Sequence, residues 1–396
     1  TIDVKSLYPK NIISATMDAL TKNENGDIDL GNGIRFNSQP KGMFPGIMEG
    51  LFIDRQKYKK EMKKYEYKSD MYNLMDRKQY SIKVLSNSFY GLVASPEFRL
   101  YDYEIAGSIT YLGRKINEWM EKTVEGLGYE VVAGHTDSIH FKLNPEKFPG
   151  KEGEDLVRCL VVDAKEVTEK VNKSFDDFAK QFNIKNHTWA VEFEKLAQTA
   201  IFIEKPRYAM RLRWVNGRGD FEGGSLVDQI IVVGLEVQRS NNSRFTRKLQ
   251  REVLKIILEK GGKEKLRQFL EVKLKEFRGG IHLDDIGIPQ RITMPFDQYK
   301  SIDVHIKGAI YANQYLGKNF GEGSKPKMIY VKKVAEGYPK TETICYEVGE
   351  EVPPGFEVDF DIMEEKCVWM KLEKILEQSG MSRQEVDYRT PTMGDW

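Results

Sequence analysis

YEVVAGHTDSIHFKL, residues 129–143, is the stretch that decides the fold. Two β-prone runs flank the turn Gly134–Asp137, so the segment predicts an antiparallel hairpin with Asp137 near its tip. Upstream, a helix is predicted over about 101–127, ending at Gly126 and Gly128. Before that, 48–93 contains almost no Gly or Pro, and Lys, Tyr, Met and Leu recur at helical spacing. Two long helices follow, roughly 48–68 and 70–91, joined near Ser69-Asp70 as an antiparallel pair. At the start, TIDVKSLYP reads as a strand running into a turn at Pro9, and NENGDIDLGNG as a loop or hairpin tip.

Downstream of the hairpin, NPEKFPGKEGED reads as a loop and about 153–182 as helical. Strands are predicted at 188–195, 198–204 and 207–215, then a hairpin turn at Asn216-Gly217 and a strand at 226–234. After Gly234 the character changes. Residues 243–277 are helical and dense in Lys, Arg and Glu; 296–363 mixes short β runs with Gly and Pro turns; 364–379 is a last helix. The fold class is α+β, with a mixed core, an inserted helical hairpin and a mixed C-terminal domain.

At 396 residues the chain exceeds one ordinary core and predicts two or three domains. With 40% hydrophobic and 31% charged residues, a disordered chain is excluded. No apolar run approaches the ~18 residues of a membrane span. Cys159, Cys345 and Cys367 are odd in number and widely spaced, which gives neither a disulfide framework nor a zinc spacing and points to a reducing, cytoplasmic setting. The net charge of +1 hides local fields. RQKYKKEMKKYEYKS, 55–69, holds seven Lys/Arg against two Glu. Alone, that run fits a solvated helix face equally well.

Asp3, in DVKSLYP, and Asp137, in GHTDS, would together offer carboxylate oxygen to hard divalent cations if the sheet brings them close. Neither is specific alone, since most such residues are turn or cap residues. Lys83 and Asn87 in KVLSNSFYG are four apart and share a helix face, as do Arg55 and Lys59 on the preceding helix. Antiparallel packing can set the four on one wall, a cationic clamp for a triphosphate.

In that order, DVKSLYP, KVLSNSFYG and GHTDS resemble the three polymerase motifs of the family B DNA polymerases, and KPRYA at 205–209 is similar to the family's KKRYA segment. GLEVQRSNNS (234–243), HIKGAIYANQYL (305–316) and the closing MSRQEVDYRTPTMGDW resemble the thumb of polymerases from large tailed bacteriophages. The resemblance covers nearly the whole chain and corresponds to the catalytic C-terminal half of such enzymes. It implies a right-hand architecture: an antiparallel-sheet palm (1–43 and 94–234), helical-hairpin fingers (44–93) and a largely helical thumb (235–396).

The implied activity is template-directed addition of deoxynucleotides to a primer 3′-OH by two-metal phosphoryl transfer, with two magnesium ions for which manganese can substitute. Asp3 and Asp137 would be the metal ligands, with the Val4 carbonyl. Ser6 and Leu7 would give backbone N–H groups to the triphosphate, Tyr8 would exclude a ribose 2′-OH, and Arg55, Lys59, Lys83 and Asn87 would bind the phosphates. Tyr90 and Gly91 would support the nascent base pair. Lys205, Arg207 and Tyr208 would follow the primer–template duplex, and Glu192 and Glu194 would be acidic neighbours of the metals.

The chain departs from the pattern at His135, where the family most often has Asp, at Pro206 for Lys, and at Lys10 for Ser. Nothing precedes the first motif, so the expectation is a split or truncated replicative polymerase whose N-terminal and 3′–5′ exonuclease domains come from a second polypeptide. TPTMGDW resembles a sliding-clamp-binding peptide. A viral source would place the enzyme in the host cytoplasm. The alternative is a catalytically weakened, polymerase-like DNA-binding subunit, which His135 alone supports.

Overall fold

The computed structural model describes residues 1–279 and 281–390, arranged in two compact units. Unit 1 comprises 1–196 and 213–227; unit 2 comprises 197–212 and 228–396. The α+β class is borne out. The right-hand arrangement remains a reading, taken up below.

In unit 1 the elements run β1 (Ile2–Val4), α1 (Leu7–Ser14), β2 (Ile28–Asp29), β3 (Arg35–Phe36), α2 (Met43–Met62), α3 (Asp70–Val93) and α4 (Tyr103–Gly126). β4 (Val131–Gly134), β5 (Ser138–Phe141), α5 (Gly153–Lys180) and β6 (Val191–Phe193) follow. The sheet order is β4-β5-β1-β6, with antiparallel pairing between all neighbours. Alternation along these strands sorts the faces. Ile2, Val4, Ile139, Val191 and Phe193 are buried in the core, so Asp3, Ser138, Glu192 and Glu194 fall on the other face.

Helices α4 and α5 pack beneath the sheet. On α5, Val157, Val161, Ala164, Val167, Val171, Phe175 and Phe178 are buried at steps of three and four, each large side chain contributing about 1.5–3 kcal/mol by leaving water. Ser69 caps α3 by accepting from the Tyr72 N–H, and Asp102 caps α4 through Glu104 and Ile105. The α2–α3 hairpin is the predicted one, although α2 starts five residues earlier than expected and buries Phe44 and Met48.

Three strands, β7 (Lys195–Glu204), β8 (Arg207–Phe221) and β9 (Gly224–Val233), form a meander in the order β7-β8-β9. The expected turn at Asn216-Gly217 is corrected. β8 runs through it, and the turn falls at Glu222-Gly223, with φ of 54° and 68°. Two consecutive positive φ values match strand twist in a two-residue loop, and here they outweigh the Asn-Gly signal.

Unit 2 continues with α6 (Arg244–Leu258), α7 (Gly262–Arg278), α8 (Leu283–Ile286), β10 (Ile288–Pro289), α9 (Val304–Tyr315), β11 (Lys327–Lys333), β12 (Thr343–Tyr346) and β13 (Glu357–Val358). It closes with α10 (Phe360–Glu364), a π-helical turn at Glu365–Trp369, α11 (Met370–Gln378) and α12 (Arg383–Val386). Its second core packs α6, α7 and α11 on β11 and β12. The helix α9 lies where short β runs were expected. Of the closing TPTMGDW, everything after Thr390 lies outside the described residues. Among the described residues no helix is long and apolar enough to cross a membrane.

Candidate active site

The expected turn at Pro9 is a helix. Chain direction changes at Ser6, whose left-handed backbone (φ 56°, ψ 57°) ends β1 and starts α1. Pro9 sits in the first helical turn, where its missing N–H costs no hydrogen bond. The non-glycine positive φ carries a strain of roughly 1–3 kcal/mol, a feature concentrated at functional sites. Leu7 is buried beneath, and Tyr8 is half-buried on the first turn.

Strand pairing brings the two key aspartates together. Asp3 pairs in register with Ser138 on one side and Glu192 on the other. The Val4 N–H donates to the Asp137 carbonyl at 2.7 Å. Burial pushes the Asp3 carboxyl up to about 7, and the charges of Asp137, Glu194 and Glu192 add to the shift. Asp137 is also raised, chiefly by burial and then by Glu194, with His135 acting in the opposite direction. Among the described residues neither aspartate forms an ion pair, whereas Glu192 pairs with Lys5 at 2.8 Å and Glu194 with Lys195 at 2.9 Å.

Partly buried, mutually repelling carboxylates are an unfavourable arrangement that a hard dication would relieve. The donors are all oxygen, which suits magnesium or manganese rather than zinc. Among the described residues no group of three or more His, Cys, Asp or Glu is set to hold a metal by itself. Asp3 and Asp137 thus offer two carboxylates, and a hard cation between them would need its remaining ligands from phosphate or water.

The α2–α3 hairpin brings the four predicted clamp residues into one unit. Arg55 is half-buried, and its Nε–H donates to Gln79 Oε1 at 3.2 Å; Gln79 in turn donates to Asp76 at 2.9 Å. Lys59 is held below its ordinary value by burial first and by the Arg55 charge second. Glu192 opposes that depression, and Lys5 and Lys83 reinforce it. Such coupling requires that Arg55, Lys59, Lys83, Lys5 and Glu192 share one electrostatic neighbourhood. Asn87 is exposed four residues on from Lys83.

The Tyr8 and Tyr90 rings lie 4.7 Å apart. The Tyr8 hydroxyl is raised by burial, then by Tyr90 and by Asp137, which sets it beside the carboxylates. A Cβ at Gly91 would meet nothing within 4 Å, so the surface there is open. His135 closes the β4–β5 hairpin through its N–H to the Ser138 carbonyl at 2.7 Å, and its ring stands edge-on to His140 at 5.3 Å.

Lys205, Arg207 and Tyr208 belong to unit 2. Lys205 is exposed, and Arg207 is paired with Glu204 at 2.9 Å. Tyr208 is buried against Phe202, with rings 5.7 Å apart.

Sequence reasoning missed several neighbours. Gln79 stands four residues before Lys83, so helical periodicity could have found it. Lys5 lies inside the DVKSLYP motif itself. Gly113 gave no signal: only its packing shows that a Cβ there would meet Leu7 Cδ2 at 3.2 Å and Tyr8 Cε1 at 3.4 Å. Asn117, which donates to the His135 carbonyl, is similarly silent in sequence.

The sequence profile described as DNA polymerase family B matches residues 1–312. A DNA polymerase of Archaeoglobus fulgidus is 29% identical over 84% of this chain and 38% of its own length. DNA polymerase 2 of Aeropyrum pernix is 26% identical over 91% and 41%, and a DNA polymerase of Thermococcus sp. (strain 9oN-7) is 26% identical over 98% and 46%. The chain thus spans less than half the length of these relatives, all of them archaeal.

Proposed function

Because the chain belongs to DNA polymerase family B, we propose that it catalyses template-directed addition of deoxynucleotides to a primer 3′-OH. The observation that carries this reading is the convergence in unit 1 of a half-buried aspartate pair, a cationic helical hairpin and the Tyr8–Tyr90 contact. In right-hand terms, 1–43 and 94–234 are the palm, 44–93 the fingers and 235–396 the thumb. The affinity to phage polymerases rests on the thumb-like segments quoted above.

Asp3 and Asp137, with the Val4 carbonyl, are the residues that would hold divalent cations. When bound, these ions supply charge neutralisation at the primer hydroxyl and at the leaving pyrophosphate. Arg55, Lys59 and Lys83 hold the triphosphate by charge-assisted hydrogen bonds, and Asn87 orients it. Gln79 fixes the fork of Arg55 across the hairpin. The Ser6 and Leu7 N–H groups, at the start of α1, would donate to the same phosphates. Tyr8, wedged by Tyr90, closes the space a 2′-OH would need, and the open surface at Gly91 receives the nascent pair. Lys205 and Arg207 follow the duplex backbone, positioning DNA without reading sequence, and Tyr208, buried against Phe202, stands beside them in the same segment. His135 and Glu192 tune the field around the aspartates.

Primer extension with magnesium and four deoxynucleotides tests the proposal, comparing the chain with Asp137→Ala. Extension that is lost in the variant supports it. Duplex binding without extension by the wild-type chain would favour a polymerase-like DNA-binding subunit.

A further inference from the structure

Helix α6 carries Arg244, Arg247, Lys248 and Arg251. Steps of three, one and three put all four cations on one helix face. The opposite face buries Leu249, Val253 and Ile256 in the core of unit 2. Alongside the cationic face opens a cavity of about 530 Å³, walled by α7 through Phe269 and Lys273 and by Phe245 of α6 itself. Every residue lining it belongs to unit 2.

The charges around this cavity do not balance. Glu276 is taken up by Lys273 at 2.6 Å. Against the four α6 cations this leaves Glu252 and Asp285, an excess of two positive charges. None of the four cations forms an ion pair or side-chain hydrogen bond among the described residues, and the Nε–H of Arg247 is shielded from water without an acceptor there. A solvated basic face explains exposed Arg244, Lys248 and Arg251. Arg247 is half-buried where it lines the cavity and has no carboxylate partner among the described residues, which sets its guanidinium to meet an oxyanion there.

We infer that this cavity binds a phosphate-bearing small molecule of nucleotide size. Guanidinium forks match phosphate oxygens bidentately, and the phenyl rings of Phe245 and Phe269 offer an apolar wall for an organic portion. The volume lies inside the range of about 300–1,000 Å³ usual for ligand pockets. The inference uses no residue of the aspartate site and stands whether or not the chain extends primers.

The test is calorimetric titration of the full chain, in EDTA, with ADP and separately with inorganic pyrophosphate. Saturable binding is expected, with a step that the double variant Arg247→Gln/Arg251→Gln weakens about tenfold or more and that Lys83→Ala retains, whatever Lys83→Ala does to a separate step at the clamp of unit 1. Phe269→Ala should weaken ADP alone if the organic portion matters; equal effects on both probes would assign the site to phosphate only. Unchanged thermal melting of the double variant shows that its fold is intact, and Arg251→Lys should recover part of the affinity. Absence of saturation by about 1 mM of either probe, or loss of binding in Lys83→Ala but not in the double variant, would overturn the inference.

Discussion

The main-chain N–H of Val4 donates to the Asp137 carbonyl at 2.7 Å, so the residue next to one candidate ligand is fastened to the other. Together with the register Asp3↔Ser138, this ties the backbone of the β4–β5 turn at Asp137 to the strand that carries Asp3. Rigid placement of this kind is what in-line phosphoryl transfer requires.

It follows that Asp3→Asn and Asp137→Asn should each lower the single-turnover rate of nucleotide addition by about 10³-fold or more. Melting in the absence of metal should be unimpaired, because each variant removes a repelling buried charge. Rapid-quench primer extension measures the first effect and calorimetry the second. A rate within tenfold of wild type for Asp137→Asn would sink the ligand assignment.

Gly113→Val tests the support beneath Tyr8. The added side chain begins at 3.2 Å from Leu7 Cδ2 and 3.4 Å from Tyr8 Cε1, so those two side chains must give way. Overpacking of this size costs about 1–3 kcal/mol. The nucleotide KM should rise alongside a lower melting temperature, whereas Gly113→Ala should show the same effects in smaller degree.

Tyr8→Ala should relax sugar discrimination. Its ring is held 4.7 Å from that of Tyr90, so the wall it makes is fixed by packing and vanishes with the side chain. The ratio of kcat/KM for deoxynucleotides over ribonucleotides should fall by about 10²-fold or more, with Tyr8→Phe close to wild type. Steady-state incorporation of a single ribonucleotide gives the ratio directly.

Much of unit 1 was legible because its signals are local. The long Gly- and Pro-poor stretch at 48–93 could only be helical, and GHTDS sat between two β-prone runs. Legibility failed where one residue's backbone decided the path. Ser6 in a left-handed conformation turned a supposed strand end into α1, and Glu222-Gly223 took the hairpin turn from Asn216-Gly217. It failed again where meaning lies in packing between distant segments. Gly113 acts through Leu7 and Tyr8, more than 100 residues before it, and Asn117 through the His135 carbonyl of the β4–β5 hairpin, contacts that no local spacing rule reveals. Tyr208, an aromatic that the motif presents as a DNA contact, has its packing against Phe202 likewise written only in the fold.

The pH dependence of stability separates two buried groups by sign. Burial, with repulsion from Asp137 and other carboxylates, pushes Asp3 up to about 7, against about 3.9 in an unfolded chain. Between those values the folded chain holds a proton that the unfolded chain has released, so this contribution is full at low pH and is lost as pH rises through about 7. His140 is held down at about 3, chiefly by burial, against about 6.5 unfolded. Its contribution is full above 6.5 and is lost as pH falls toward 3. The two slopes oppose each other between roughly 4 and 6.5. Above that the buried α-amino group of Thr1, held down at about 5 chiefly by burial against about 8 unfolded, opposes Asp3 in turn, so the difference between wild type and variant isolates the aspartate. In EDTA the melting temperature of Asp3→Asn should rise relative to wild type between pH 6.5 and 8, and His140→Gln should show no such change there while easing the loss on the acid side. Magnesium at pH 8 should raise the melting temperature of wild type more than that of Asp3→Asn, because it offsets a carboxylate charge that the variant lacks. A difference between Asp3→Asn and wild type that stays constant over that range would assign the titration to some other group.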